Sequence, residues 1–213
     1  MLKILRVDAS ARVEASVSRQ LADSVIEAIK FNQRDVEVIK RDVGQNPPGF
    51  VSQDWIAAAF SKQRTQAQKE LLRQSDQLIG EVRRADVILL STPMYNYGMP
   101  ASLKAWIDQV VRVNETFTFD LSRGDRPIEP TLSGKRVVAL TSWGEFGFEA
   151  GGINEGGDNL VPHLRYVSRY LGVQDFHHIG VEYQEFGDVR YAQSKTAAFA
   201  AAQNLGAAIA KNT

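Results

Sequence analysis

The sequence predicts an α/β protein: a parallel sheet with helices on both faces. Three observations carry this. Short apolar runs alternate with longer stretches of helical periodicity along the whole chain. Two of those runs, Val87-Ile88-Leu89-Leu90 and Val137-Val138-Ala139-Leu140, are apolar at every position, as a parallel strand covered on both faces requires. No repeat, low-complexity segment or Ser/Gly linker divides the 213 residues, so residues 1–213 read as one domain.

Each element follows in order. Lys3 to Val7 is the first strand; the opening Met1-Leu2-Lys3-Ile4-Leu5-Arg6-Val7 reads as strand and not as a signal peptide. After a polar loop, Val17, Leu21 and Val25 form a helical stripe with Ala22, Ile26 and Ile29 beside it. Val36, Val38 and Ile39 give a second strand, and Asn46-Pro47-Pro48-Gly49 then breaks the chain. Two helices are expected next, a short Ala-rich one around Trp55 to Phe60 and a longer one from about Thr65 to Arg84. The longer helix has Leu71, Leu78, Ile79 and Val82 at helical spacing.

The Val87 run is the third strand. The helix after it carries Leu103, Ile107, Val110 and Val111 on one face, with Pro100 suited to its first turn. The Val137 run is the fourth strand, and a long Gly-rich loop extends from Thr141 to Asp158. Leu160, Leu164, Val167 and Leu171 mark another helix that Gly172 is placed to end. Phe176 to Val181 is the last strand, and the Ala-rich tail from Asp188 to Lys211 is a final helix.

Composition removes several functions. Without cysteine there are no disulfides, thiolate zinc sites, Cys-ligated iron–sulfur clusters or Cys nucleophiles. With 25 Lys+Arg against 25 Asp+Glu, the net charge is zero, which lacks the basic field of general nucleic-acid binders. No apolar run approaches the ~20 residues of a membrane span, and the cytoplasm is the expected compartment. The three histidines build no metal site: His177 and His178 are adjacent and point to opposite faces of a strand, and His163 sits on a helix surface.

In a sheet of this class, ligands bind beyond the carboxyl ends of the strands, where strand order reverses. Five strands in the flavodoxin-like order 2-1-3-4-5, in a three-layer sandwich, bring together the loops after strands one, three and four. Those are the unusual loops of this chain.

The first offers Ser10, Ser16 and Ser18 ahead of a helix, where an anion such as a phosphate monoester would be favoured; the serines could also simply cap that helix. Neither a G-x-G-x-x-G nor a Walker pattern is present. The second, Ser91-Thr92-Pro93-Met94-Tyr95-Asn96-Tyr97-Gly98-Met99-Pro100, is crowded with aromatics and Met. It suits a flat ring system, with Asn96 and backbone amides at the ring's edge, or else is a packed turn. The third begins Thr141-Ser142-Trp143-Gly144-Glu145, where Gly144 lets the backbone approach a ligand, unless the loop is only a flexible connection.

The run Thr92-Pro93-Met94-Tyr95-Asn96-Tyr97-Gly98-Met99-Pro100-Ala101-Ser102-Leu103-Lys104-Ala105-Trp106-Ile107-Asp108 is a specific signature. With Thr116-Phe117-Thr118-Phe119, Leu132-Ser133-Gly134-Lys135 and Ser16-Val17-Ser18-Arg19, it resembles the FMN-dependent NADH:quinone oxidoreductase and azoreductase family across essentially the whole chain.

The resemblance implies that Ser10 and Ser16-Val17-Ser18 hold the FMN phosphate. Pro93, Met94, Tyr95, Asn96 and Tyr97 would line the isoalloxazine, Ser142, Trp143, Gly144 and Glu145 would flank its pyrimidine side, and Phe119 would lie near the substrate. It implies a homodimer whose subunits both wall each active site. It also implies a ping-pong cycle in which NADH or NADPH delivers hydride to the flavin and a quinone or aromatic azo compound then takes two electrons. No side-chain nucleophile is needed, and loop amides near Ser142 to Glu145 are the candidates for stabilising negative charge on the reduced flavin.

The chain departs from the family pattern at Trp143 and Glu145, where an Arg and a Gly are usual. Two other readings share the fold class. A receiver-type signalling domain would need an Asp where strand three ends in Ser91-Thr92-Pro93. A flavin-binding electron carrier or regulator would share the phosphate and ring loops but lack room for a second flat ligand.

Overall fold

The computed structural model of the protein describes residues 1–211. In chain order the first half holds β1 (Leu2–Asp8), α1 (Val17–Asn32), β2 (Val36–Asp42), α2 (Gln53–Phe60), α3 (Gln66–Arg84) and β3 (Val87–Pro93). The second half holds α4 (Ala101–Val110), β4 (Phe117–Phe119), β5 (Ile128–Pro130), β6 (Lys135–Ser142), α5 (Val161–Val167), β7 (Val173–Val181) and α6 (Val189–Lys211). The sheet runs β2-β1-β3-β6-β7, all parallel, which is the expected 2-1-3-4-5 order when the sheet strands alone are counted.

The period-two alternation of the strands builds both cores. Leu5 and Val7, Ile88 and Leu90, and Val137 and Ala139 face α3, α4 and α5. Their neighbours Leu2 and Ile4, Val87 and Leu89, and Val138 and Leu140 face α1 and α6. That helix pair approaches closely: a Cβ on Gly206 of α6 would stand 2.6 Å from the Val25 carbonyl oxygen of α1. Register aligns the carboxyl ends. Asp8 pairs with Ser91, and Pro93 pairs with Ser142, so the loops after β1, β3 and β6 leave from one edge.

Three local expectations are corrected. The buried stripe of α3 runs through Leu72, Ser75, Leu78, Ile79 and Val82, and Leu71 faces outward. Ser75 is on that stripe because its hydroxyl donates to the Gln109 carbonyl and accepts from Arg112. Pro100 stands at the N-cap of α4, one residue ahead of the first turn, where its carbonyl accepts from Leu103 and Lys104. The Leu160–Leu171 helix is α-helical only over α5, then tightens into a 3-10 turn at Ser168–Leu171 that left-handed Gly172 ends. The Phe117 to Ser133 excursion holds the antiparallel β4–β5 hairpin, with Phe119 opposite Ile128. Among the described residues no helix is long and apolar enough to cross a membrane.

Candidate functional site

The loop after β1 delivers an open helix end. Ser16 is the N-cap of α1, yet its side chain makes no capping bond and lies 3.4 Å from the Ser18 hydroxyl. Among the described residues, the amides of Val17, Ser18 and Arg19 therefore have no acceptor. The serines do not close this helix. They leave three N–H groups without an acceptor at the positive end of the dipole.

Buried charges fix that geometry. Arg6 of β1 grips Asp8 at 2.9 and 2.8 Å and also meets Asp23. Arg19 of α1 donates to both carboxylate oxygens of Asp42 at the end of β2, and to the Ser10 carbonyl at 2.7 Å. Burial alone would raise the Asp42 pKa; the Arg19 guanidinium and the Gln45 and Gly44 amides outweigh it and hold the carboxyl below its ordinary range. Behind the loop, Gly44 lies so close that a Cβ there would stand 2.1 Å from the Ser10 carbonyl oxygen.

The loop after β3 is a tight reverse turn. Tyr95 and Gly98 exchange amide-to-carbonyl bonds at 2.9 and 3.0 Å, and both central residues take positive φ, Asn96 at 49° and Tyr97 at 62°. This is the pattern of a type I′ turn. Asn tolerates it; Tyr does so rarely, and such residues gather at functional sites. The amides of Asn96 and Tyr97 carry no acceptor among the described residues. The Tyr95 hydroxyl accepts from the Ala11 amide at 3.4 Å, which joins this loop to the first.

The loop after β6 is not a free connection. Its start is laddered to the segment after β7: Gln184 donates to the Trp143 carbonyl, Glu185 to the Gly144 carbonyl, and Tyr183 to the Glu145 carbonyl. Further on it folds through turns at Gly147, Gly151 and Gly156, with the Asn154 side chain donating to the Phe146 carbonyl. What crowds Gly144 is Glu185, whose Cγ would stand 2.7 Å from a Cβ there.

These loops enclose a cleft of about 460 Å³. Of the predicted cofactor contacts, Ser10, Ser16, Val17, Pro93, Met94, Tyr95, Asn96, Tyr97, Ser142, Gly144 and Glu145 line it. Three predicted residues do not. The Ser18 side chain is fully buried, 3.4 Å from the hydroxyl of Ser16, which does line the cleft. The Trp143 ring is turned into the core against Phe148 and His178. Phe119 lies half exposed on the β4–β5 hairpin, outside this cleft.

Sequence reasoning missed Arg12, Phe148, Gln184 and Glu185. The signal for the last two was the aromatic stretch after the edge strand, Tyr183 to Phe186, which stacks on Phe146.

One end of the cleft has open helix amides, two serines and Arg12; the other has Met, tyrosines and unpaired amides. That polarity fits the phosphate and flat ring of FMN. The flavodoxin-like fold family model matches residues 2–205. The FMN-dependent NADH:quinone oxidoreductase 2 of Colwellia psychrerythraea is 51% identical, over 96% of this chain and 98% of that protein. The chain belongs to the family of flavodoxin-like FMN-dependent NADH:quinone oxidoreductases.

The same-named protein of Idiomarina loihiensis is 50% identical over 100% of this chain and 92% of its own length. The solved azoreductase of Bacillus anthracis superposes with a TM-score of 0.85 over 97% of this chain and 99% of its own, at 20% identity, a likeness of fold.

Within this oxidoreductase family the two departures of the third loop have opposite fates. Trp143 turns inward, and its amide donates to the Val181 carbonyl at 2.8 Å. Glu145 stays on the cleft, where the Tyr97 hydroxyl donates to its carboxylate oxygens at 3.0 and 3.1 Å. That hydrogen bond and the Glu145 charge hold the Tyr97 phenol above its ordinary pKa.

Proposed function

We propose that this chain binds FMN in the cleft and transfers two electrons from NADH or NADPH to quinones, cleaving aromatic azo compounds at the same site. The observation that carries this is the pairing of an open helix N-terminus with an aromatic slot at one sheet edge. The Val17, Ser18 and Arg19 amides, with Ser10 and Ser16, hold the phosphate. Met94 to Tyr97 seat the ring, and the unpaired Asn96 and Tyr97 amides meet its edge. With the Trp143 amide donating to Val181, the Gly144 and Glu145 amides remain to stabilise negative charge. Bound there, FMN would supply the two-electron chemistry between a reduced nicotinamide and the acceptor, which share the one cleft in turn as a ping-pong cycle requires.

The functional unit in this reading is a cytoplasmic homodimer of single-domain subunits, residues 1–213. Phe50, Ile56 and Phe60 are exposed apolar side chains beside and along α2, and Phe119 sits outside its own cleft, as a residue serving the partner subunit's site would.

Mixing the pure protein with FMN tests the first step: a bound-flavin spectrum is expected, and its absence would sink the proposal. NADH oxidation that depends on added quinone, with parallel initial-rate lines, separates an enzyme from an electron carrier. Light scattering at dimer mass checks the assembly.

A further inference from the structure

We infer that the mouth of the cleft is a charge filter that selects neutral or cationic flat acceptors over anionic ones. This rests on the reading of the cleft as a flavin and acceptor site. Two carboxylates line it, Glu145 from the loop after β6 and Glu185 from the segment after β7. Both leave backbone that is held in place. Glu145 is fixed by the Tyr97 hydroxyl bonding to its two oxygens. The Glu185 backbone is held by its amide on the Gly144 carbonyl at 3.1 Å, and its Cγ packs over Gly144. Glu145 and Glu185 therefore sit on adjoining backbone segments of one rim.

Neither carboxylate has a cationic partner among the described residues. Arg12 is the one cation lining the cleft among those residues, and it comes from the loop that leads into the α1 N-terminus, at the phosphate end. Arg190, on the segment that follows Glu185, is committed to Asp188 at 2.9 and 2.6 Å and stacks over Tyr183 and Phe186. The ring end thus carries two uncompensated negative charges, and a phosphate bound at the other end would add to them. A sulfonate or carboxylate on an incoming acceptor meets that field; a neutral quinone does not.

The test compares 1,4-naphthoquinone with 1,4-naphthoquinone-2-sulfonate in the wild-type protein, Glu185→Gln, and the Glu145→Gln/Glu185→Gln double variant. Taking the ratio of the two kcat/KM values within each protein cancels folding and flavin loading, and comparing ratios between proteins cancels the acceptors' intrinsic reactivity. The neutral-to-sulfonated ratio is expected to fall about tenfold in the double variant, and to narrow in the wild type as salt rises. A ratio unchanged by both substitutions and by salt overturns the filter.

A second measurement needs no turnover: calorimetric binding of 2-naphthol and 2-naphthol-6-sulfonate, with the sulfonate weaker in the wild type and the gap closing in the variants. Equal affinities in the wild type would overturn the filter as well. FMN uptake is measured first. If it fails, the flavin reading falls, and the naphthol pair still decides the charge filter.

Discussion

Arg19 holds Asp42 with both terminal nitrogens, at 2.7 and 2.8 Å, while the same guanidinium bonds the Ser10 carbonyl. One planar fork thereby fixes the first turn of α1, the end of β2 and the loop that carries Ser10. A lysine carries its donors on one nitrogen and lacks the fork that meets the carboxylate with two. Arg19→Lys is expected to weaken FMN binding about tenfold. Arg41→Lys is the control. Arg41 makes a comparable pair with Glu81, away from the cleft, so this variant should lower thermal stability and leave FMN affinity alone. Equal FMN affinity in the two variants would show that Arg19 positions nothing.

The burial of Trp143 sets a second expectation. Its ring is 7% exposed and contacts Phe148 and His178, so truncation opens a cavity in the core. Trp143→Ala should cost roughly 3–5 kcal/mol of stability in denaturant titrations. FMN uptake at low temperature should persist, because residue 143 offers the cleft no side chain. Loss of flavin binding from a fully folded variant would return Trp143 to the site.

Tyr97 gives the opposite pattern. Its φ of 62° suits glycine, and its ring is largely outside the core. Tyr97→Gly removes the strain, the cleft wall and the bond to Glu145 together. The unfolding midpoint should stay at or above that of the wild type, while FMN affinity falls about tenfold. A variant both less stable and fully competent for FMN would contradict the idea that strain is retained here for binding.

The parts most legible in the sequence were those set by a strong local pattern. Fully apolar runs such as Val87 to Leu90 suit central parallel strands, and the 2-1-3-4-5 order expected of them brings the loops after β1, β3 and β6 to one edge, as the sheet has them. Met94 to Tyr97 and Ser10, Ser16 and Val17, all of which line the cleft, stood out because polar or aromatic loops at a carboxyl edge are out of keeping with simple connections. What stayed hidden depended on tertiary partners. Leu71 and Leu72 are adjacent, and only the packing of α3 against α2, where Leu72 joins Trp55, Ala58 and Ala59, decides which is buried. β4 and β5 have three residues each, too short for a periodic signal. Trp143 and Gly144 are neighbours on opposite sides of the chain, and the ladder to Gln184 and Glu185 that orients them is invisible until β7 is placed beside β6.

His178 provides a pH test of that same region. Its Nε2 lies 2.8 Å from the Thr141 hydroxyl, under the Trp143 ring. Burial lowers its pKa below the ordinary 6.5; the Asp158 charge opposes this and the Arg165 charge adds to it. The folded protein thus holds the imidazole neutral, while the unfolded chain takes up a proton near the ordinary value. Because the unfolded state binds more protons between the two pKa values, stability is full above the ordinary value and falls as pH drops through it, levelling only below the folded value. One proton contributes a slope of at most about 1.4 kcal/mol per pH unit. His178→Gln can keep a bond to Thr141 and removes the titration. The stability of the wild type relative to this variant should therefore decline from about pH 7.5 to about pH 5.5, read by urea unfolding at each pH. A relative stability that rises over that range would mean that Asp158 outweighs burial and that the histidine is charged in the fold.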